Sequence, residues 1–83
     1  MAMVIYTKSH CPYCEKAIDH YKANSIPFVE YDAQNDKDRQ EEMLKFTNGD
    51  TVVPAFVEDG VYKGSGWGEP PRGCTIIPDA NPL

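Results

Sequence analysis

The chain has 83 residues, 41% of them hydrophobic and 25% charged, with a formal net charge of −5. It is long enough for one globular domain that buries roughly 60–65% of its unfolded surface, and too short for a second core. The negative balance, with no basic stripe, sets nucleic-acid binding aside, and the apolar runs are too short to span a bilayer. Met1–Ile5 lacks the basic region and long apolar core of a signal peptide, which points to the cytoplasm. Thiols are kept reduced there, and three cysteines is an odd number that no closed disulfide framework uses up.

In chain order, Met3-Val4-Ile5-Tyr6-Thr7 is a short β-prone run that suits a buried strand. Pro12 fits the first position of a helix, after which Cys14, Ala17, Ile18 and Tyr21 fall on one helical face. Asn24-Ser25 ends that helix, with Pro27 shortly beyond. Phe28-Val29-Glu30-Tyr31 is the second strand. A polar stretch, Asp32–Asp38, leads into a second helix with Met43, Leu44 and Thr47 on one face and Gly49 at its end. Pro54–Glu58, Asp59-Gly60 and Val61–Lys63 then read as a hairpin with a tight turn. The βαβ start predicts two parallel strands, and the hairpin adds antiparallel ones, giving an α/β fold with a mixed four-stranded sheet and flanking helices. Beyond Lys63 the glycines and prolines leave no helical period, so 64–83 is expected to be irregular, and no internal repeat is visible.

Cys11 and Cys14 are separated by two residues, a spacing open to zinc binding, a structural disulfide or redox exchange. Cys11 is expected to cap the first helix, where free backbone N–H groups and the positive helix end favour thiolate over thiol; Lys8 adds a positive charge nearby. Cys14, one turn in, is expected to be more buried and to keep a higher pKa. Cys11 then attacks first and Cys14 resolves. His10, next to Cys11, is either a proton partner or simply solvated. The zinc alternative would use Cys11, Cys14, Cys74 and either His10 or His20. It lacks a second closely spaced ligand pair, and Pro12 sets up a helix start instead of a zinc knuckle.

Cys-Pro-Tyr-Cys between a first strand and a first helix, preceded by Tyr6-Thr7-Lys8, resembles the active-site motif of glutaredoxins. Thr51-Val52-Val53-Pro54 resembles the family's Thr-Val-Pro segment, whose proline follows a cis peptide bond. The resemblance covers about residues 3–64, and its two motifs stand in the family's order. It implies a thioredoxin-like fold over 1–64 with a tail at 65–83. The activity it implies is a monomeric thiol–disulfide oxidoreductase acting on protein disulfides or glutathione mixed disulfides, with glutathione as co-substrate and no tightly bound cofactor. It also implies that Lys8 meets glutathione's glycine carboxylate and that Tyr13 lines the groove. Val53, before Pro54, pairs by backbone with the substrate's cysteine. Arg39 or Gln40 stands near the family's second carboxylate partner, and a solvated helix charge is the alternative for Arg39. An iron–sulfur cluster shared between two subunits is known in the family, and the proline after the first cysteine makes it less expected here.

The chain also departs from the family. Gly64-Ser65-Gly66-Trp67-Gly68-Glu69 replaces the usual Gly-Gly-acidic pattern, and Pro70-Pro71 prevents a terminal helix from following. Ser65 and Gly66 keep small groups with backbone N–H available for the γ-glutamyl end. The stretch is also similar to a Trp-Ser-Gly-Phe-Arg-Pro segment of small redoxins that serve ribonucleotide reductase and are reduced by thioredoxin reductase, so thioredoxin reductase is the alternative reductant. Trp67 in this loop is expected to cover the core edge, with a functional use as the alternative. Cys74 is either a spare thiol in the tail or a third redox cysteine. Gly73 and Pro71 make a turn, Arg72 adds positive charge, and the ten residues from Gly64 reach at most ~33–36 Å, enough to return to Cys11.

Overall fold

The structure is a computed structural model that describes residues 3–68 and 72–77. The chain runs β1 (Met3–Thr7), α1 (Pro12–Ala23), β2 (Val29–Asp32), α2 (Lys37–Thr47), β3 (Val52–Val53), β4 (Ala55–Glu58), β5 (Val61–Ser65) and β6 (Cys74–Thr75). β2, β1, β4 and β5 form one sheet in that order. β1 and β2 are parallel, while β4 is antiparallel to both β1 and β5. This is the expected mixed four-stranded sheet, and the fold is thioredoxin-like.

The two sheet faces follow from the alternation of side chains along each strand. Tyr6, Ala55 and Val57 bury themselves in a core with Met43 of α2. The opposite face presents Phe56, which stacks on Tyr21 of α1 with ring centroids 6.0 Å apart. Phe28, expected at the start of the second strand, instead lies just before β2 and meets the edge of the Tyr21 ring at 5.9 Å. Trp67 extends this aromatic layer, 6.0 Å from Phe56 and 5.1 Å from the His20 ring. It therefore covers the core edge, as its position in the sequence suggests.

Both helices start on a side chain that accepts a backbone N–H. Asp36 takes that of Arg39 at the head of α2. Asn48, in the left-handed conformation (φ 58°), closes its other end, one residue before the expected Gly49. The Asp59-Gly60 turn has φ of 52° and 80°, which is why glycine follows aspartate there.

The chain after β5 departs from the irregular reading of residues 64–83. β5 itself continues to Ser65, and Trp67 and Arg72 then bond to each other through both backbone groups, at 2.7 and 3.2 Å. That bridge turns the chain back so that β6 pairs antiparallel with β3, Val53 opposite Cys74 and Val52 opposite Thr75. Ile76 follows with no exposed surface and belongs to the core. A two-residue strand has no period to detect, and its partner β3 is equally short. Glu69, Pro70 and Pro71, and the terminal residues 78–83 with Pro78 and Pro82, lie outside the described residues.

Candidate active site

Cys11 occupies the cap position at the head of α1, in an extended conformation (φ −108°, ψ 110°), and its Sγ accepts the N–H of Cys14 at 3.4 Å. Pro12 follows at the first helical position, where its missing N–H costs nothing. Cys14, one turn along, is 3% exposed. Burial pushes its thiol pKa up and the carboxylate of Glu30 adds to the effect, while the backbone and charge of Lys8 act in the opposite direction. A cavity of about 340 Å³ runs past this thiol, lined by Lys8, His10, Cys14, Ile18, Lys22 and Glu30. His10 is exposed on that side and takes a left-handed φ of 62° immediately before Cys11.

The Val53–Pro54 peptide bond is cis. Cys11, Cys14 and Val53 belong to a single core cluster, with Tyr13 packed against it. Cys11 is joined by a disulfide to Cys74, whose Cα lies 6.0 Å from its own. Cys14 is the free cysteine.

Several of the residues expected at the site converge here. Lys8 donates from Nζ to the carbonyl of Thr75 at 3.2 Å, on the strand that carries Cys74. The N–H of Gly66, expected to be available, donates to the Pro54 carbonyl at 2.8 Å. The Ser65 hydroxyl is bonded to Tyr62 at 2.6 Å. Of the two candidates on α2, Gln40 reaches the Ala33 carbonyl at 2.9 Å and the Ile77 carbonyl at 3.4 Å. Arg39 is engaged elsewhere, 3.2 Å from the Glu42 carboxylate and 3.8 Å from the centre of the Tyr31 ring. His20, weighed as a zinc ligand, stands in the aromatic layer beside Trp67. Among the described residues no group of three or more His, Cys, Asp or Glu side chains is placed to hold a metal ion.

Four residues whose contacts here the sequence does not foretell also shape the site. The Gln34 side chain accepts the Ile77 N–H at 2.8 Å and donates to its carbonyl at 3.0 Å. The Thr51 carbonyl takes the N–H of Ile76 at 2.9 Å. A Cβ on Gly73 would run into the Val53 carbonyl oxygen and lie 2.8 Å from Val52 Cγ1. Glu30 accepts the Thr7 hydroxyl at 2.8 Å, which fixes its carboxylate beside Cys14. A lone polar or small residue carries no local signal of such long-range roles.

A sulfur held at a helix head, a second thiol one turn away and a cis-proline beside them form an apparatus for thiol–disulfide exchange. The family model for glutaredoxin matches residues 3–63, which takes in both cysteines of the pair and the cis-proline. Glutaredoxin 3 of Escherichia coli strain K12 is 35% identical over 60 residues, covering 72% of this chain and 71% of that protein. A probable glutaredoxin of Synechocystis sp. is 36% identical over 56 residues, covering 66% of this chain and 64% of its own length. The matched region holds β1, β2, β4 and the start of β5, both helices and the Cys11–Cys14 pair, and on these grounds the chain belongs to the glutaredoxin family.

Proposed function

We propose that the protein reduces glutathione mixed disulfides and protein disulfides, with Cys11 as nucleophile, Cys14 as resolving thiol and glutathione as the reductant. The Cys11 thiolate attacks one sulfur of the target disulfide and the other half leaves as a thiol. Cys14 then attacks Cys11 Sγ, the second half leaves, and a Cys11–Cys14 disulfide remains. Two glutathione molecules restore the dithiol and depart as glutathione disulfide. The observation that carries the reading is the position of Cys11 Sγ at the head of α1, where it accepts a backbone N–H. A negative sulfur is favoured there by the helix end and by that donor. Cys14, whose proton is held by burial, suits the later step. Lys8, Tyr13, Val53, Pro54, Ser65 and Gly66 frame the groove around the reacting sulfur in this reading. Arg39 would take a ligand carboxylate only by releasing Glu42. A reducing compartment such as the cytoplasm suits this chemistry.

The test is a pair of substitutions in a glutathione mixed-disulfide assay. Cys11→Ser is expected to abolish exchange, while Cys14→Ser keeps activity on substrates that need one thiol. Equal damage from both would overturn the assignment of roles. Following NADPH oxidation with glutathione and glutathione reductase, against thioredoxin reductase, identifies the reductant. A Cys11–Cys14 potential of about −200 to −230 mV accords with glutathione, whereas about −270 mV points to thioredoxin reductase.

A further inference from the structure

A disulfide fixes where its two halves can lie, so the bond between Cys11 and Cys74 marks the place that any cysteine joined to Cys11 must occupy. The chain fills that place with its own strand. β6 lies antiparallel on β3, with Cys74 opposite Val53, the residue before the cis-proline. Its flanks are shaped for the position. Gly73 precedes the cysteine where a Cβ would strike the Val53 carbonyl. Thr75 follows it and offers its carbonyl to Lys8 at 3.2 Å. Beyond it, Ile76 is fully buried and bonded to Thr51, and the Gln34 amide grips both backbone groups of Ile77. These contacts are spread over β3 and the residue before it, the loop after β1 and the turn after β2, so the segment is seated in the fold.

We infer that Cys74 is a third redox residue: β6 presents it to Cys11 as a tethered substrate, and the Cys11–Cys74 disulfide is an intermediate of the reaction cycle. The proposal rests on Cys11 being the nucleophile, as argued above. The Cys74 thiolate attacks a target disulfide, one half leaves as a thiol, and Cys74 holds the other half as a mixed disulfide. With β6 on β3, the Cys11 thiolate attacks Cys74 Sγ, the second half leaves as a thiol, and the Cys11–Cys74 bond forms. Cys14 then attacks Cys11 Sγ, Cys74 departs as a thiol, and the Cys11–Cys14 disulfide remains. The target disulfide has gained two electrons, supplied by Cys11 and Cys14, and Cys74 ends as it began. The seat also defines what can compete with β6. A cysteine preceded by a unit without a side chain and followed by an oxygen acceptor for Lys8 fits it. Glutathione meets both conditions, because its γ-linkage puts a methylene before the cysteine amide and its glycine carboxylate follows.

The test maps linkages by mass spectrometry in the full chain. Reduced wild type, Cys11→Ser, Cys14→Ser and Cys74→Ser are mixed with oxidised glutathione, quenched in acid, and their remaining thiols alkylated. In Cys14→Ser the Cys11–Cys74 link is expected to accumulate, and in Cys11→Ser glutathione is expected on Cys74. A tethered thiol has an effective concentration on the order of mM, so with glutathione at about a tenth of that the internal link should exceed the Cys11–glutathione adduct about tenfold. Gly73→Val, which obstructs the seating of β6, combined with Cys14→Ser should reverse that ratio. If Cys14→Ser carries glutathione on Cys11 while Cys74 is fully alkylated, or if Gly73→Val leaves the ratio unchanged, the tethered-substrate proposal is overturned and the nucleophile stands. If Cys11 takes up neither partner in any variant, the nucleophile reading falls, and this proposal falls with it.

Discussion

At the residue scale the two cysteines of the motif differ because their surroundings differ. Cys11 faces a backbone donor at a helix head, and Cys14 faces apolar neighbours and the Glu30 carboxylate. The raised pKa of Cys14 has a stability consequence whose sign is fixed. An unfolded thiol ionises near about 8.5, whereas the folded Cys14 keeps its proton to higher pH. Its contribution is therefore complete below about pH 8.5 and is lost as pH rises through the folded value. With the Cys11–Cys74 link intact, urea unfolding of wild type should lose more stability between about pH 7 and pH 10 than Cys14→Ala does. Equal losses would show that Cys14 is not protected from ionisation by the fold. The placing of Cys11 at the head of α1 and of Cys14 one turn along was legible in the sequence because it depends on a local spacing and on one proline. Gln34 and Gly73 were not, since what they do depends on a segment about forty residues away for the one and on the backbone of Val53 for the other.

At the scale of elements, the two helices are capped in the same way for different ends. Asp36 caps α2 with a carboxylate, whereas the cap of α1 is the sulfur of Cys11, the nucleophile of the proposed reaction. Asp36→Ala should cost about 1 kcal/mol in chemical denaturation, with the alkylation rate of Cys11 in the reduced protein unchanged. A change in that rate would mean that the two helix heads are coupled. The elements the sequence pattern revealed were those long enough to have a period or bounded by strong punctuation. Pro12 marked α1, Asp59-Gly60 marked the β4–β5 turn, and the Met3–Thr7 run marked β1. β3 and β6 escaped because each has two residues and each exists only through the other. Glycines and prolines beyond Lys63 left no helical period, yet Trp67 and Arg72 bond to each other through both backbone groups.

At the scale of the whole molecule, the core does not end where the family match ends. That match closes at residue 63, while Ile76 sits fully buried among Tyr6, Met43 and Val57. The returning segment is thus part of what makes the domain stable, and it also carries the cysteine joined to Cys11. Ile76→Ala should destabilise the protein by about 2–5 kcal/mol, the range for removing a large aliphatic side chain from a packed interior. A cost typical of a surface position, within about 0.5 kcal/mol, would place Ile76 outside the core.

The aromatic layer carries one more consequence. Trp67 is the sole tryptophan of the chain, and it stands where the return towards β6 begins, against His20 and Phe56 and bonded through its backbone to Arg72. Its indole emission therefore comes from a single place, and that place is bonded through its backbone to Arg72, two residues before Cys74. Intrinsic fluorescence can follow the seating of that segment in real time, in unlabelled protein and at low concentration, by a rapid-mixing experiment that starts when a reductant cuts the Cys11–Cys74 bond.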